Sequence, residues 1–550
     1  MEANIEKRKE KSKFKQFQEF CDPEIAFGKF LKWFDKNKRM AFLITLLVGI
    51  VTHITMITET IMSQDGLWNS MEYFRPGAWE MSLGRWGIEL VQRLNFFMAI
   101  PSLATVSCIL AMAITSVLLV DLFDFKSKIS VIFTAVAVVL TPTLTVTLLY
   151  VYTSFAYCFN FLISVLIIWL LYKFKYKKTG FILAALCFTL SLSIYQSYVG
   201  VTVGLCIMIS IMNLLKSDVS IKKVFLDIGK TILVVIIGGA LYLGLTNVIL
   251  TKNNVEFASN YKGYEEVSFI NTLTSLKDSI VHSYEDFFMF FLGDNIVHNS
   301  NYMRQRAYMV FLIVLALSVL IAAFTVKANS KKEKIVKAIL IVLFAAFVPV
   351  GLNVIDILVT ENEMYALTAV QMILVIPLTF AIFEKINYFN ILKWLAIVSC
   401  IYVMGTYYIA TNTSYAALKL TYNQAYSTTM RVLDRAETTE GYFKGMPILL
   451  AGIVGNDNYP RNSNIYHYTV GSVVTNPTFH GSYSGAMGTW FKFLKIFYGI
   501  EIPICNADLY YQLVTSEEYE SMDIFPAENS VQIVDGVVLV KLSYNPPLPY

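Results

Sequence analysis

Apolar runs of about 20 residues, repeated along most of the chain, constrain this sequence more than anything else in it. About 20 consecutive apolar residues are what an α-helix needs to cross roughly 30 Å of hydrocarbon. Such runs fall at about 40–58, 102–122, 130–149, 151–172, 180–196, 198–215, 231–250, 307–326, 338–356, 366–383 and 394–413. Only 15% of the 550 residues are charged, against about 25% in soluble proteins. A soluble globular fold is therefore excluded. The first run follows an arm of about 39 mostly polar residues, too long for the leading region of a signal peptide, so it is expected to remain as an anchor.

Basic residues predict the orientation. Lys126 and Lys128, the Lys173–Lys178 cluster, Lys216, Lys222 and Lys223, the Lys327–Lys337 run, and Lys385 with Lys393 all fall on one side. The opposing short loops near 149–151, 196–198 and 357–365 carry no Lys or Arg. With the basic side inside, the N-terminus is cytoplasmic and residues 414–550 lie outside. The net charge of +4 is spread over short loops, so no surface suits nucleic acid. The seven cysteines show no metal spacing or disulfide framework.

The expected architecture is an all-α polytopic membrane protein of about eleven transmembrane helices with a small extracytoplasmic α/β domain at its C-terminus. Its parts are a basic arm (1–39), a membrane domain (40–413) with outward loops 59–101 and 251–306, and the C-terminal domain (414–550). In the arm, Ile25 to Phe34 reads as an amphipathic stretch at the membrane surface. Trp79, Leu83, Trp86, Leu90 and Leu94 share one helical face, predicting a helix lying flat at the interface. Phe269–Leu292 predicts a second surface helix. In the C-terminal region Ala416–Ala436 reads as an amphipathic helix and Pro447–Val454 as a buried strand. Val531–Val534 and Val537–Leu542, joined by Asp535-Gly536, carry a strong hairpin signal.

Several residues could carry chemistry. The stretch from Glu59 to Trp68 sets two carboxylates, Glu59 and Asp65, just above the first run, with the Trp68 ring beside them. A carboxylate there can take a proton from an acceptor hydroxyl or hold a divalent metal against a phosphate. Asp65-Gly66 is equally ordinary turn chemistry. In Gly84-Arg85-Trp86 the guanidinium suits bidentate phosphate binding, although Arg85, Glu89 and Arg93 are spaced to pair along a helix. Tyr195-Gln196-Ser197 sits at an outward hairpin, where Tyr195 can stack on a sugar and Gln196 can bind its hydroxyls. A tight turn at the aromatic belt would use the same residues. Arg304 and Arg306 could hold a phosphate or anchor to headgroups. Asn160, Asn353, Asp356 and Gln371 lie in or at the ends of apolar runs and should face the bundle interior. The five histidines (His53, His282, His298, His467, His480) lack ligand spacing.

Taken together, Ser63-Gln-Asp65-Gly, Gly84-Arg-Trp86 and Ser193-Ile-Tyr195-Gln196-Ser197-Tyr198 resemble the motifs of the glucosyl transferase II family, over roughly residues 40–415. These are serotype-converting O-antigen glucosyltransferases of bacteria and their Gram-positive relatives. The resemblance implies a GT-C type enzyme in the bacterial cell membrane. It would move a sugar, typically glucose, with inversion from a polyprenyl-phosphate donor to a cell-surface glycan outside the membrane. By the same resemblance Asp65 is the acid/base or metal-positioning residue, Arg85 lies near the donor phosphate, and Gln196 near the cavity rim. The family often has two adjacent acids in this loop. Here Gln64 precedes Asp65, which leaves Glu59 to supply a second carboxylate and leaves metal dependence open. A transporter or flippase of lipid-linked sugars and a glycan polymerase are the alternatives. A transporter would call for repeats or charged, interrupted helices at the midplane, and neither is present in the sequence.

Overall fold

The computed structural model describes residues 22–258, 274–294, 296–298, 302–359, 364–386, 390–452, 464–471, 489–503, 505 and 507–544. Among them, seven helices are long and apolar enough to cross a membrane: Pro101–Leu122, Lys128–Leu149, Val151–Lys173, Gln196–Leu214, Ile221–Asn253, Met303–Thr325 and Asn390–Thr438. The chain is a helical membrane protein.

The other four apolar runs form shorter or interrupted helices, each for a local reason. The first is Lys36–Thr52 followed by Ile54–Thr58, broken at His53. That ring is fully buried between the Tyr415 hydroxyl (2.7 Å) and the Val139 carbonyl (3.1 Å). Lys178–Ile194 is one 17-residue helix. Lys331–Ala346 gives way to Val348–Leu352 with Pro349 near its start. The run beginning at Ala366 starts as two 3₁₀ turns, Ala366–Thr368 and Val370–Leu374, before becoming Val375–Lys385.

Small and hydroxylated residues let the helices approach closely, as they do where no hydrophobic difference separates lipid from protein. A Cβ at Gly49 would lie 2.7 Å from Ile109 and 2.8 Å from Val139. Thr45 donates to the Ser116 hydroxyl at 2.9 Å one turn away. At the end of the bundle where Lys36–Thr52 begins, Asp121 gathers Trp33 Nε1 (3.1 Å), Trp169 Nε1 (2.8 Å) and Lys38 Nζ (3.0 Å). The helix Pro23–Trp33 leads into this cluster, capped by Asp22.

The helix expected along residues 79–94 is broken. Short helices Ala78–Ser82 and Gly87–Gln92 meet at Gly84, whose φ of +70° lies in the left-handed region that favours glycine. Trp79, Leu90 and Leu94 stay exposed, while Leu83 and Ile88 are buried. The amphipathic period was real, but the break splits its face. Of the second expected surface helix, Leu276–Leu292 is present, and Phe269 lies outside the described residues.

The helix Asn390–Thr438 runs without interruption for 49 residues, so the boundary expected at 413/414 falls inside it. Beyond it, strand β1 (Ile448–Ala451) is parallel to β3 (Val537–Lys541), which pairs antiparallel with β2 (Val531–Val534), in the order β1-β3-β2. Asp535 (φ 49°) and Gly536 (φ 74°) make the two-residue turn between β2 and β3. The long helix is the spine for this region. Arg431 and Arg435 lie over the Phe525 ring at 5.3 and 5.5 Å. Trp490 donates to Thr429 (3.2 Å), and Tyr498 donates to the Tyr426 carbonyl (2.9 Å). Lys492 reaches across to Glu72 of the first loop at 2.5 Å. This hydrogen bond holds the Glu72 carboxyl below its ordinary range.

Candidate active site

Asp65 is placed by a short, tightly anchored turn. Ser63 caps the helix Gln64–Asn69 by accepting from Gly66 N at 3.1 Å, while its own N–H and hydroxyl both donate to the Leu149 carbonyl at 3.0 Å. A Cβ at residue 66 would collide with that same carbonyl, so Gly66 is what lets the turn sit on the end of the helix Lys128–Leu149. Asp65 occupies the first turn of its helix. The capping chemistry belongs to Ser63 rather than to Asp65.

The second and third motifs interlock. Gln196 Nε2 donates to the Leu83 carbonyl and to the Tyr242 hydroxyl, both at 2.9 Å. A Cβ on Gly84 would strike that hydroxyl, and one on Gly87 would strike Ser193. Trp86 Nε1 donates to Thr246 at 2.9 Å, one turn along from Tyr242. Arg85 lies over the Tyr195 ring, 4.8 Å from its centroid. It does not join the helical pairing, for Glu89 is bonded instead by Arg75 (2.9 Å) and Arg93 (3.2 Å). Tyr195 is further held by stacking on Tyr157 (4.6 Å) and by Asn160 donating to its carbonyl (3.1 Å). The polar Asn160 therefore positions a ring.

Asp65 and Tyr195 line one large cavity of about 1470 Å³. Tyr150, Ser63 and Gln64 share their wall. Helix Leu276–Leu292 contributes His282, Glu285, Asp286 and Phe288, while the segment 364–368 contributes Tyr365. His298 and Gly471 also line it. His282 Nδ1 stands 3.6 Å from Glu285, one turn on. Sequence reading singled out neither acid of this helix and gave His282 no role. His282, Glu285, Met289 and Leu292 do fall at three- and four-residue intervals, yet nothing in that spacing says the face meets a cavity.

The remaining candidates lie elsewhere. Glu59 is paired with Lys419 at 2.5 Å and is not among the lining residues. Trp68 is 51% exposed and also outside the lining. Gln196 is buried and braces the backbone of the Leu83–Arg85 turn. Arg304 is fully buried and donates through Nη2 to the carbonyl of the lining residue Gly293 at 2.8 Å. Its Nε and Nη1 make no hydrogen bond among the described residues. No group of three or more His, Cys, Asp or Glu side chains that could hold a metal occurs among the described residues.

Residues 69–379, more than half of the chain, match the model of the family described as Glucosyl transferase GtrII. The chain belongs to that family. No curated protein and no solved structure matches it. It is a helical membrane protein of a glycosyltransferase family, and the matched stretch holds Arg85, Tyr195, Gln196, Arg304 and the helix Leu276–Leu292. Glu59, Asp65 and Trp68 precede the match, and Gly471 follows it.

Proposed function

We propose that this member of the Glucosyl transferase GtrII family moves a sugar, glucose in the first instance, from a polyprenyl-phosphate donor to a cell-surface glycan. The reaction takes place on the extracytoplasmic side of a bacterial cell membrane, with the N-terminus inside. The observation that carries the reading is that Asp65 and Tyr195, from motifs about 130 residues apart in the chain, line the same cavity beside the ends of the apolar helices. That depth suits a donor whose lipid tail stays in the bilayer while its sugar rises into the cavity.

In this reading an acceptor hydroxyl oxygen attacks the anomeric carbon of the donor sugar. The new glycosidic bond forms as the bond from that carbon to the phosphate oxygen breaks. The polyprenyl phosphate leaves with the bonding electron pair, and the acceptor's proton passes to the Asp65 carboxylate. Inversion follows from attack opposite the leaving group. Such a positioned base contributes a factor of about 100 to 10,000. Tyr195 offers its ring to the sugar face, and Arg85 behind it adds positive charge at the wall nearest the departing phosphate. No step requires a second carboxylate.

The test is transfer from synthetic polyprenyl-phosphate glucose to membrane glycan by wild type and Asp65→Asn at equal expression. Loss of transfer in the variant supports the assignment, and unchanged turnover would remove Asp65 from it. If wild type transfers neither glucose nor any other sugar offered, the enzyme reading itself falls and a flipping assay takes its place.

A further inference from the structure

The cavity is not closed by the family-matched stretch alone. Residues 464–471, beyond the long helix, return to it and pair with residues 296–298. Val297 and Val470 form an antiparallel bridge, His298 N donates to the Thr469 carbonyl at 2.8 Å, and Gly471 N donates to the Ile296 carbonyl at 2.8 Å. The long helix holds the same segment from the other side. Ser414 Oγ accepts from Val470 N at 2.8 Å, and Thr413 donates to the Tyr468 carbonyl. His298 and Gly471 at the end of this pairing both line the cavity. Gly471 has a φ of +55°, and a Cβ there would touch Ala366 (3.6 Å) and Val146 (3.9 Å), which are lining residues too.

We propose that this segment, ending at Gly471, is the acceptor-side wall of the cavity and sets the width of the sugar chain admitted there. The inference rests on the glycosyltransfer reading above. The donor is tethered to the bilayer and reaches the cavity between helices. The acceptor is a water-borne chain and must arrive from the end of the bundle where the C-terminal region sits. Residues 464–471 belong to that region, so they meet the acceptor. Gly471 leaves a gap between Ala366 and Val146 that any side chain would narrow.

The experiment uses the full chain in membranes with polyprenyl-phosphate glucose as donor. Linear and branched oligosaccharides of equal length serve as acceptors. Gly471→Asn is the informative variant, because asparagine is among the side chains that best tolerate the left-handed backbone and it adds bulk. The expected result is an acceptor KM raised tenfold or more, most for the branched acceptor, with the donor KM within twofold of wild type. Ser414→Ala, which frees Val470 N, should raise acceptor KM in the same direction by a smaller factor, and it decides the matter if Gly471→Asn does not fold. Acceptor KM within twofold of wild type in the folded variants, or an equal rise in donor KM, overturns the wall. Absence of transfer to every acceptor by wild type would instead sink the glycosyltransfer reading beneath it.

Discussion

The two ends of the helical bundle both gather carboxylates and aromatic rings, and they put them to opposite uses. Around Asp121 each oxygen is engaged, one by Lys38 and the other by the indoles of Trp33 and Trp169, and the adjoining hollow is only about 260 Å³. Around Asp65 the helix-capping work is done by Ser63, the rings of Tyr195 and Tyr150 stand on a wall, and about 1470 Å³ lies open before them. A carboxylate engaged by donors on both oxygens fixes geometry. In the proposed reading, a carboxylate facing volume acts on what enters, and the comparison then separates a structural acid from a chemical one.

The contrast can be broken most directly at its two acids. Asp65→Asn should lower kcat for sugar transfer by about 100-fold or more, the loss of a positioned base, while thermal unfolding followed in detergent stays where it was. Asp121→Ala should do the reverse. Removing the carboxylate that Lys38, Trp33 and Trp169 share in this partly buried cluster costs on the order of 1–3 kcal/mol, so the melting temperature should fall while the turnover of protein that remains folded changes little. If Asp121→Ala abolished turnover at unchanged stability, the division between the two ends would be wrong.

Arg85→Lys sharpens the contrast within the cavity end. Lysine keeps the charge but loses the planar face that lies over Tyr195. A fall of about fivefold in kcat/KM is expected from an interaction of roughly 1 kcal/mol, compared at saturating acceptor. An unchanged value would make Arg85 a headgroup anchor.

The smallest effect lies between the first loop and the C-terminal region. The Glu72 carboxyl is held low by Lys492, so its contribution to stability is full above the ordinary carboxylate range and is lost as pH falls through the lowered folded value. The pair is half-exposed, and such pairs contribute little. Melting curves of wild type and Glu72→Gln should therefore differ slightly at pH 7 and converge in acid, once the pH has fallen through the lowered folded value. A difference that persists in acid would point to packing.

The hydrophobic runs, the hairpin at Asp535-Gly536 and the grouping of Asp65, Arg85 and Tyr195 into short motifs were legible because each depends on neighbours in the chain. Run length sets helix length, and two consecutive positive φ angles call for residues such as Asp and Gly. The break at Gly84 could be anticipated from the glycine, but its cause could not. It is the hydroxyl of Tyr242, 158 positions away, that forbids a side chain there. Glu59 illustrates the same limit. From the sequence it stands beside Asp65 as a second acid, and only packing brings Lys419 to neutralise it.

By itself, then, the sequence determined that the chain lives in a bilayer, roughly where its apolar runs lie, and which residues were chemically able to act, since periodicity and local turn chemistry are written over short distances. Which of them meet was decided by the tertiary structure alone. The cavity draws Asp65, Tyr195, Glu285 and Gly471 from four parts of the chain, and contacts between residues so far apart follow from how helices pack, which no local pattern encodes.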